Sequence, residues 1–111
     1  MSKFDEKIAL YQGAMKDLGI SFDAGLFAKV TKGLGPSIYK KDAETVSGSD
    51  AKELATVKNN FLIKKLGLSD GAKLDSAIDA VMEKMGKSNR NKYRAIVYYL
   101  LVKEMGQESK Y

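Results

Sequence analysis

At 111 residues, with 44% hydrophobic side chains and a net charge of +5, the chain has the size and composition of one globular domain with its own core. It contains no Cys and no His, which excludes disulfides, thiolate nucleophiles, zinc–thiolate sites, imidazole ligands and the usual general base near neutral pH. The longest apolar run, Ala95–Val102, is far short of the roughly 20 residues that span a bilayer.

The start, Met1-Ser2-Lys3-Phe4-Asp5-Glu6, is polar, and no secretory signal is expected there. A single cytoplasmic domain over residues 1–111, with no membrane contact, is therefore expected. Four times the chain writes Leu or Met, Gly, any residue, Ser: at Leu18-Gly19, Leu34-Gly35, Leu66-Gly67 and Met85-Gly86, with a near-miss at Met105-Gly106. Gly after an apolar residue ends helices by taking a left-handed conformation, and Ser two residues on is a good N-cap. The chain thus reads as helices joined by short turns.

The first helix is predicted from Ser2 to Leu18, with Phe4, Ile8, Tyr11, Met15 and Leu18 as its apolar stripe. Ser2 and Asp5 resemble a capping box. A second spans Asp23 to Lys32, capped by Asp23, with Phe22 stapled to Phe27. Pro36 opens one or two turns at Ser37–Lys40, and the polar stretch from Lys41 to Ser49 reads as the one long connection. The next helix runs from about Asp50 to Leu66, with Asp50 and Glu53 as a capping box and Leu54, Val57, Phe61, Leu62 and Leu66 inward. A fifth follows Ser69, with Leu74, Ile78, Val81, Met82 and Met85 inward. The last begins near Ser88 or Asn89 and ends near Met105. It is apolar on nearly every side from Ala95 to Val102, so it belongs at the centre. The fold class is all-α: a compact single-domain bundle of five to six helices around a buried C-terminal helix, without a sheet.

Three segments carry a resemblance. They are Val46-Ser47-Gly48-Ser49-Asp50, the run Ala55-Thr56-Val57-Lys58-Asn59-Asn60-Phe61-Leu62-Ile63-Lys64-Lys65-Leu66-Gly67-Leu68, and Ser88-Asn89-Arg90-Asn91-Lys92-Tyr93-Arg94-Ala95 with Tyr98-Tyr99-Leu100-Leu101. With them the chain resembles, along its whole length, a small bacterial family of domains of unknown function. The resemblance implies an all-helical cytoplasmic domain and supplies no activity, cofactor or site residue.

Charge is uneven. Residues 1–56 hold eight Lys and eight acids, whereas residues 57–111 hold eleven Lys and Arg against six acids. Lys84, Lys87, Arg90, Lys92 and Arg94 form a stretch with no acid. Arg90 and Arg94 are i,i+4 neighbours with Tyr98 next in the row, and cations at a helix start oppose the macrodipole. A local violation can mark function. Lys87, Arg90, Lys92, Arg94 and Tyr98 are therefore the candidate anion or nucleic-acid contacts, with Tyr98 available to stack on a base. The competing expectation pairs Arg90 and Arg94 with Asp75, Asp79 and Glu83, a row of carboxylates on the preceding helix.

Other constellations are weaker. The three carboxylates spread over about 12 Å of one helix and cannot converge on one ion. Ser47-Gly48-Ser49-Asp50 lacks the phosphate-loop spacing and reads as capping. Tyr93, Tyr98 and Tyr99 can line a small-molecule pocket but are ordinarily core residues. No catalytic residue, metal or cofactor is expected. The leading expectation is a non-catalytic binding or interaction module with a protein partner; the alternative is a nucleic-acid-binding protein using the Lys84–Arg94 edge.

Overall fold

The computed structural model describes residues 3–46, 50–86 and 92–111, with backbone alone at 41 and 42. Five main helices follow the expected order: α1 (Lys3–Asp17), α2 (Ala24–Gly33), α4 (Ala51–Thr56) with its continuation, α5 (Ala72–Met85) and α6 (Arg94–Glu104). Pro36 lies in a 3₁₀ turn, Gly35–Tyr39, and a second such turn, Glu108–Lys110, follows α6. The stretch read as a long connection instead contains a helical turn, α3 (Lys41–Glu44), an isolated antiparallel bridge between Thr45 and Tyr93, and the buried Val46. That bridge is the only β pairing among the described residues. A polar segment takes structure here because its backbone is paired: the Val46 N–H donates to the Lys92 carbonyl at 2.7 Å.

All five glycines of the repeated pattern have positive φ: Gly19 +73°, Gly35 +63°, Gly67 +70°, Gly86 +90° and Gly106 +65°. At Gly106 the reverse bonds are explicit. The Gly106 N–H donates to Lys103 (3.2 Å) and the Gln107 N–H to Val102 (2.9 Å), which satisfies two orphan carbonyls at the end of α6. The described serines of the pattern, Ser21, Ser37 and Ser69, do not cap as expected. Ser37 sits inside the 3₁₀ turn and donates to the Leu34 carbonyl at 2.9 Å. The N-cap of α5 is Gly71, two residues past Ser69, and that of α2 is Asp23, two past Ser21. The turns are longer than the pattern implies, so the cap falls later. Asp23 accepts from Gly25 and Leu26 N–H, and the Phe22 and Phe27 rings lie 6.3 Å apart as the staple requires. Ser2, Ser47, Gly48, Ser49 and Ser88 lie outside the described residues.

Past Thr56 the α4 helix widens into a π-helical segment, Val57–Lys65, closed by the Leu66 N–H donating five residues back to Phe61 at 2.9 Å. The widening has a packing reason. Seven or eight residues beyond Val57, where an α-helix returns to the same face, stand Lys64 and Lys65. The wider turn brings Leu66 inward with Val57, Phe61 and Leu62, and leaves both lysines exposed.

The helix α6 is the centre. Every residue from Ala95 to Val102 is buried, Tyr98 being the most accessible at 7%. It starts at Arg94, about five residues later than expected, because Tyr93 is extended and held in the bridge to Thr45. The other helices close around it, with Tyr11, Met15, Phe27, Val30, Leu62, Leu74 and Met85 facing inward. The radius of gyration, 13.0 Å, matches the ~13 Å of a compact domain of this length. Among the described residues no helix is long and apolar enough to cross a membrane.

Candidate functional site

The start of α6 is where the sequence places its strongest functional signal. Arg94 is the first residue of the helix, where a cation opposes the macrodipole. Its guanidinium makes three bonds inside the fold. Nε donates to the Ala43 carbonyl at 2.6 Å, one terminal nitrogen to the Tyr98 hydroxyl at 2.9 Å, and the other to Glu53 Oε1 at 2.5 Å. The guanidinium carbon also lies 5.6 Å from the Tyr98 ring centre. The Tyr98 ring stacks on Phe61 at 4.0 Å and 22°. One arginine thus ties α3, α4 and α6 together, with 12% of its side chain exposed.

A cleft of about 320 Å³ opens beside this group, and its lining includes Ser37, Asn60, Lys65, Arg94, Tyr98 and Tyr111. Its chemistry is mixed. Glu53 offsets Arg94, so the remaining positive charge at the rim is Lys65, which is exposed. Burial and the neighbouring Tyr98 push the Tyr111 phenol above its ordinary value and keep it neutral. Tyr98 gives its ring to Phe61 and its hydroxyl to Arg94, so neither is turned outward for a base.

Of the five sequence-predicted contacts, the three that are described, Lys92, Arg94 and Tyr98, do not form a surface row. Lys87 and Arg90 lie outside the described residues. Lys92 is buried, 3% exposed, and its carbonyl holds the bridge to Val46. Arg94 and Tyr98 belong to the internal network just described. The expected partners across the Gly86 turn also differ for Arg94, whose carboxylate is Glu53 rather than one on α5. For this reason Glu53 does not close a capping box with Asp50, which caps α4 alone through the Lys52 N–H at 2.9 Å. Asp75 instead joins Asp70 around Lys58, at 3.1 and 2.8 Å, clipping the start of α5 to the π-helical segment. This contact raises the Lys58 pKa and lowers that of Asp70. No group of three acidic side chains among the described residues can hold a metal ion.

Two features escape the sequence reading. Glu44, at the end of α3, accepts from Lys7 at 2.6 Å and from the buried Tyr11 hydroxyl at 2.5 Å. Burial and this carboxylate push the Tyr11 phenol well above its ordinary value. The second is a surface. Leu10 (47% exposed) and Tyr39 (46%) are the large exposed hydrophobics among the described residues, and both stand at α1. The signal was present: Leu10 is an apolar residue off the Phe4–Leu18 stripe.

The comparisons agree with the resemblance drawn from the motifs. A family described as "Protein of unknown function (DUF2853)" matches residues 10–109. The chain belongs to this family. No curated protein matches it. The matched span covers all of α2 to α6 and the second half of α1, so the Arg94 network falls within the family's domain, while of the Leu10 surface Lys3 and Glu6 precede it.

Proposed function

We propose that this DUF2853 chain is a non-catalytic interaction module of the cytoplasm whose partner is a protein. The observation that carries this reading is the Arg94–Glu53–Tyr98 network: the arginine best placed for an anion is occupied by internal partners at 2.5 to 2.9 Å. A guanidinium held by a carboxylate leaves little field for a polyanion. The exposed hydrophobics favour a protein contact, since Leu10 and Tyr39 share a cleft of about 390 Å³ along α1. Absence of Cys fits a reducing compartment.

The test sets this reading against nucleic-acid binding. A labelled duplex and a labelled single strand are titrated with the protein at low and moderate salt. No binding at micromolar protein is expected. Micromolar binding whose logarithm falls with log salt at a slope of roughly −3 to −4, and which is abolished by Lys87→Glu with Arg90→Glu, overturns the reading. A photocrosslinking side chain at Leu10 is expected to capture protein in cells, and one at Lys73, exposed on α5, is not.

A further inference from the structure

The helix α1 has a second face that nothing in the described chain covers. Lys3, Glu6, Leu10, Gly13 and Asp17 are all exposed, and their alternating spacing of three and four residues lines them up along the helix. Leu10 is at the middle. Tyr39 stands beside the first half, across the cleft it shares with Lys3 and Glu6. A second cleft, of about 510 Å³, flanks the other half, and its lining includes Ala9, Gly13, Ala14 and Asp17.

Three members of this row are unfavourable to the chain by itself. Lys3 is a cation at the positive end of the α1 dipole and Asp17 an anion at its negative end, whereas Asp5, Glu6 and Lys16 follow the preference. At α6 the same violation is resolved internally, by Glu53 on Arg94. Neither Lys3 nor Asp17 has an ion-pair partner among the described residues. The third is Gly13, which weakens the helix interior relative to Ala. A Cβ there would meet nothing within 4 Å, so no contact within the described chain calls for a glycine.

We propose that α1 pairs antiparallel with α1 of a second copy of this chain, about a two-fold axis at Leu10. This rests on the interaction-module reading and names its partner. Such an axis sets Lys3 of each copy against Asp17 of the other, Glu6 against the notch at Gly13 and Ala14, and Leu10 against Leu10. The contact is isologous, so every complementary pair occurs twice. Each charge that opposes its own helix dipole then complements its neighbour's, because Asp17 of one copy comes to the N-terminus of the other helix. The missing side chain at Gly13 lets the second backbone approach. Lys7 adds no repulsion, since Glu44 holds it at 2.6 Å. A row with a cation at one end and an anion at the other matches its own reverse better than a uniformly acidic or basic partner.

The contact is one helix face about 22 Å long at 1.5 Å per residue, short beside the surface of a permanent dimer. The dimer is therefore reversible and its population depends on concentration. Sedimentation velocity of the full chain from micromolar to about millimolar protein, at low and moderate salt, tests it. A monomer–dimer equilibrium that weakens with salt is expected. Leu10→Asp abolishes it with the circular dichroism spectrum unchanged. Lys3→Asp and Asp17→Lys alone each weaken it roughly tenfold, two exposed pairs being lost per dimer, and the double charge swap restores it. Gly13→Leu weakens the dimer while raising the melting temperature of the dilute monomer. A chain that stays monomeric at millimolar concentration overturns the proposal, as does a dimer indifferent to Leu10→Asp or a double swap no better than the single variants. Capture of a different protein through Leu10 by a chain that remains monomeric overturns self-pairing and leaves the interaction-module reading standing. Polyanion binding in the preceding titration is the separate failure of that reading.

Discussion

Arg94 and Glu53 stand 41 residues apart in sequence and 2.5 Å apart in space. The pair joins the first residue of α6 to the first turn of α4, with 12% and 28% of the two side chains exposed. Glu53 suits its own helix dipole and Arg94 does not, so the carboxylate compensates a cation that is poorly placed by itself. Glu53→Ala leaves a mostly shielded guanidinium short of its counter-charge and is expected to cost about 2–3 kcal/mol. A double-mutant cycle with Arg94→Met, read by urea denaturation, should return a coupling of about 1–3 kcal/mol. A coupling near zero would reduce the contact to an ordinary surface pair.

Leu101 and Leu10 are the same residue in opposite surroundings, 0% and 47% exposed. Leu101→Ala removes buried methyl groups from the centre of α6 and is expected to cost about 2–5 kcal/mol. For a chain of this size that is a fall in melting temperature of roughly 10 °C or more. Leu10→Ala should stay within about 0.5 kcal/mol when measured on dilute protein. Equal effects at the two positions would contradict the central placement of α6.

The fold was legible where one local cause decides the outcome. The apolar stripe of α1, the Asp23 cap and the positive φ at Gly67 and Gly86 each follow from a few neighbouring residues. What was not legible depends on partners far away in sequence. The turn Lys41–Glu44 exists with Thr45 bridged to Tyr93 and Glu44 bound to Tyr11, neither visible from a polar stretch. The π-helical widening at Val57–Lys65 depends on which face the core demands, and an i, i+4 count finds the right apolar residues without the turn they make. At the candidate site, the violation at Arg94 was visible and its meaning was not. The carboxylate that resolves it lies on α4, while the acids nearest in sequence stand on α5.

Gly67 and Gly13 should respond to Ala in opposite directions. Gly67 ends the π-helical segment at φ +70°, and the Leu68 N–H reaches back to the Leu62 carbonyl at 3.0 Å. A Cβ there has ordinary room, with Lys110 Nζ at 3.5 Å, so the cost is conformational. Gly67→Ala is expected to destabilise by about 1–2 kcal/mol. Gly13 lies inside α1 with open space around it, and Gly13→Ala is expected to stabilise the dilute chain by about 1 kcal/mol. Thermal melts of both variants beside the wild type check the pair of signs. A stabilised Gly67→Ala would mean that the helix runs through the turn.

The Tyr11–Glu44 contact should be visible as a pH dependence on the alkaline side. Tyr11 is fully buried and donates to Glu44 at 2.5 Å. Burial and the carboxylate both disfavour the phenolate, so the folded pKa lies above the ordinary value of about 10. Below that value Tyr11 is protonated in the folded and the unfolded chain, and its contribution is fully present. Above it the unfolded chain ionises while the folded chain does not, and the contribution falls as pH rises. Tyr11→Phe removes both the hydrogen bond and the titration. It is expected to be less stable than the wild type by about 1.5–3 kcal/mol at pH 7, the range for a bond to a charged group. That gap should narrow between about pH 10 and 11, because only the wild type loses stability through this residue. The other tyrosines are common to both proteins and cancel in the difference. Urea midpoints at pH 7, 9, 10 and 11 measure it. A gap that stays constant across that series would show that Tyr11 ionises alike in both states and that Glu44 does not hold its proton.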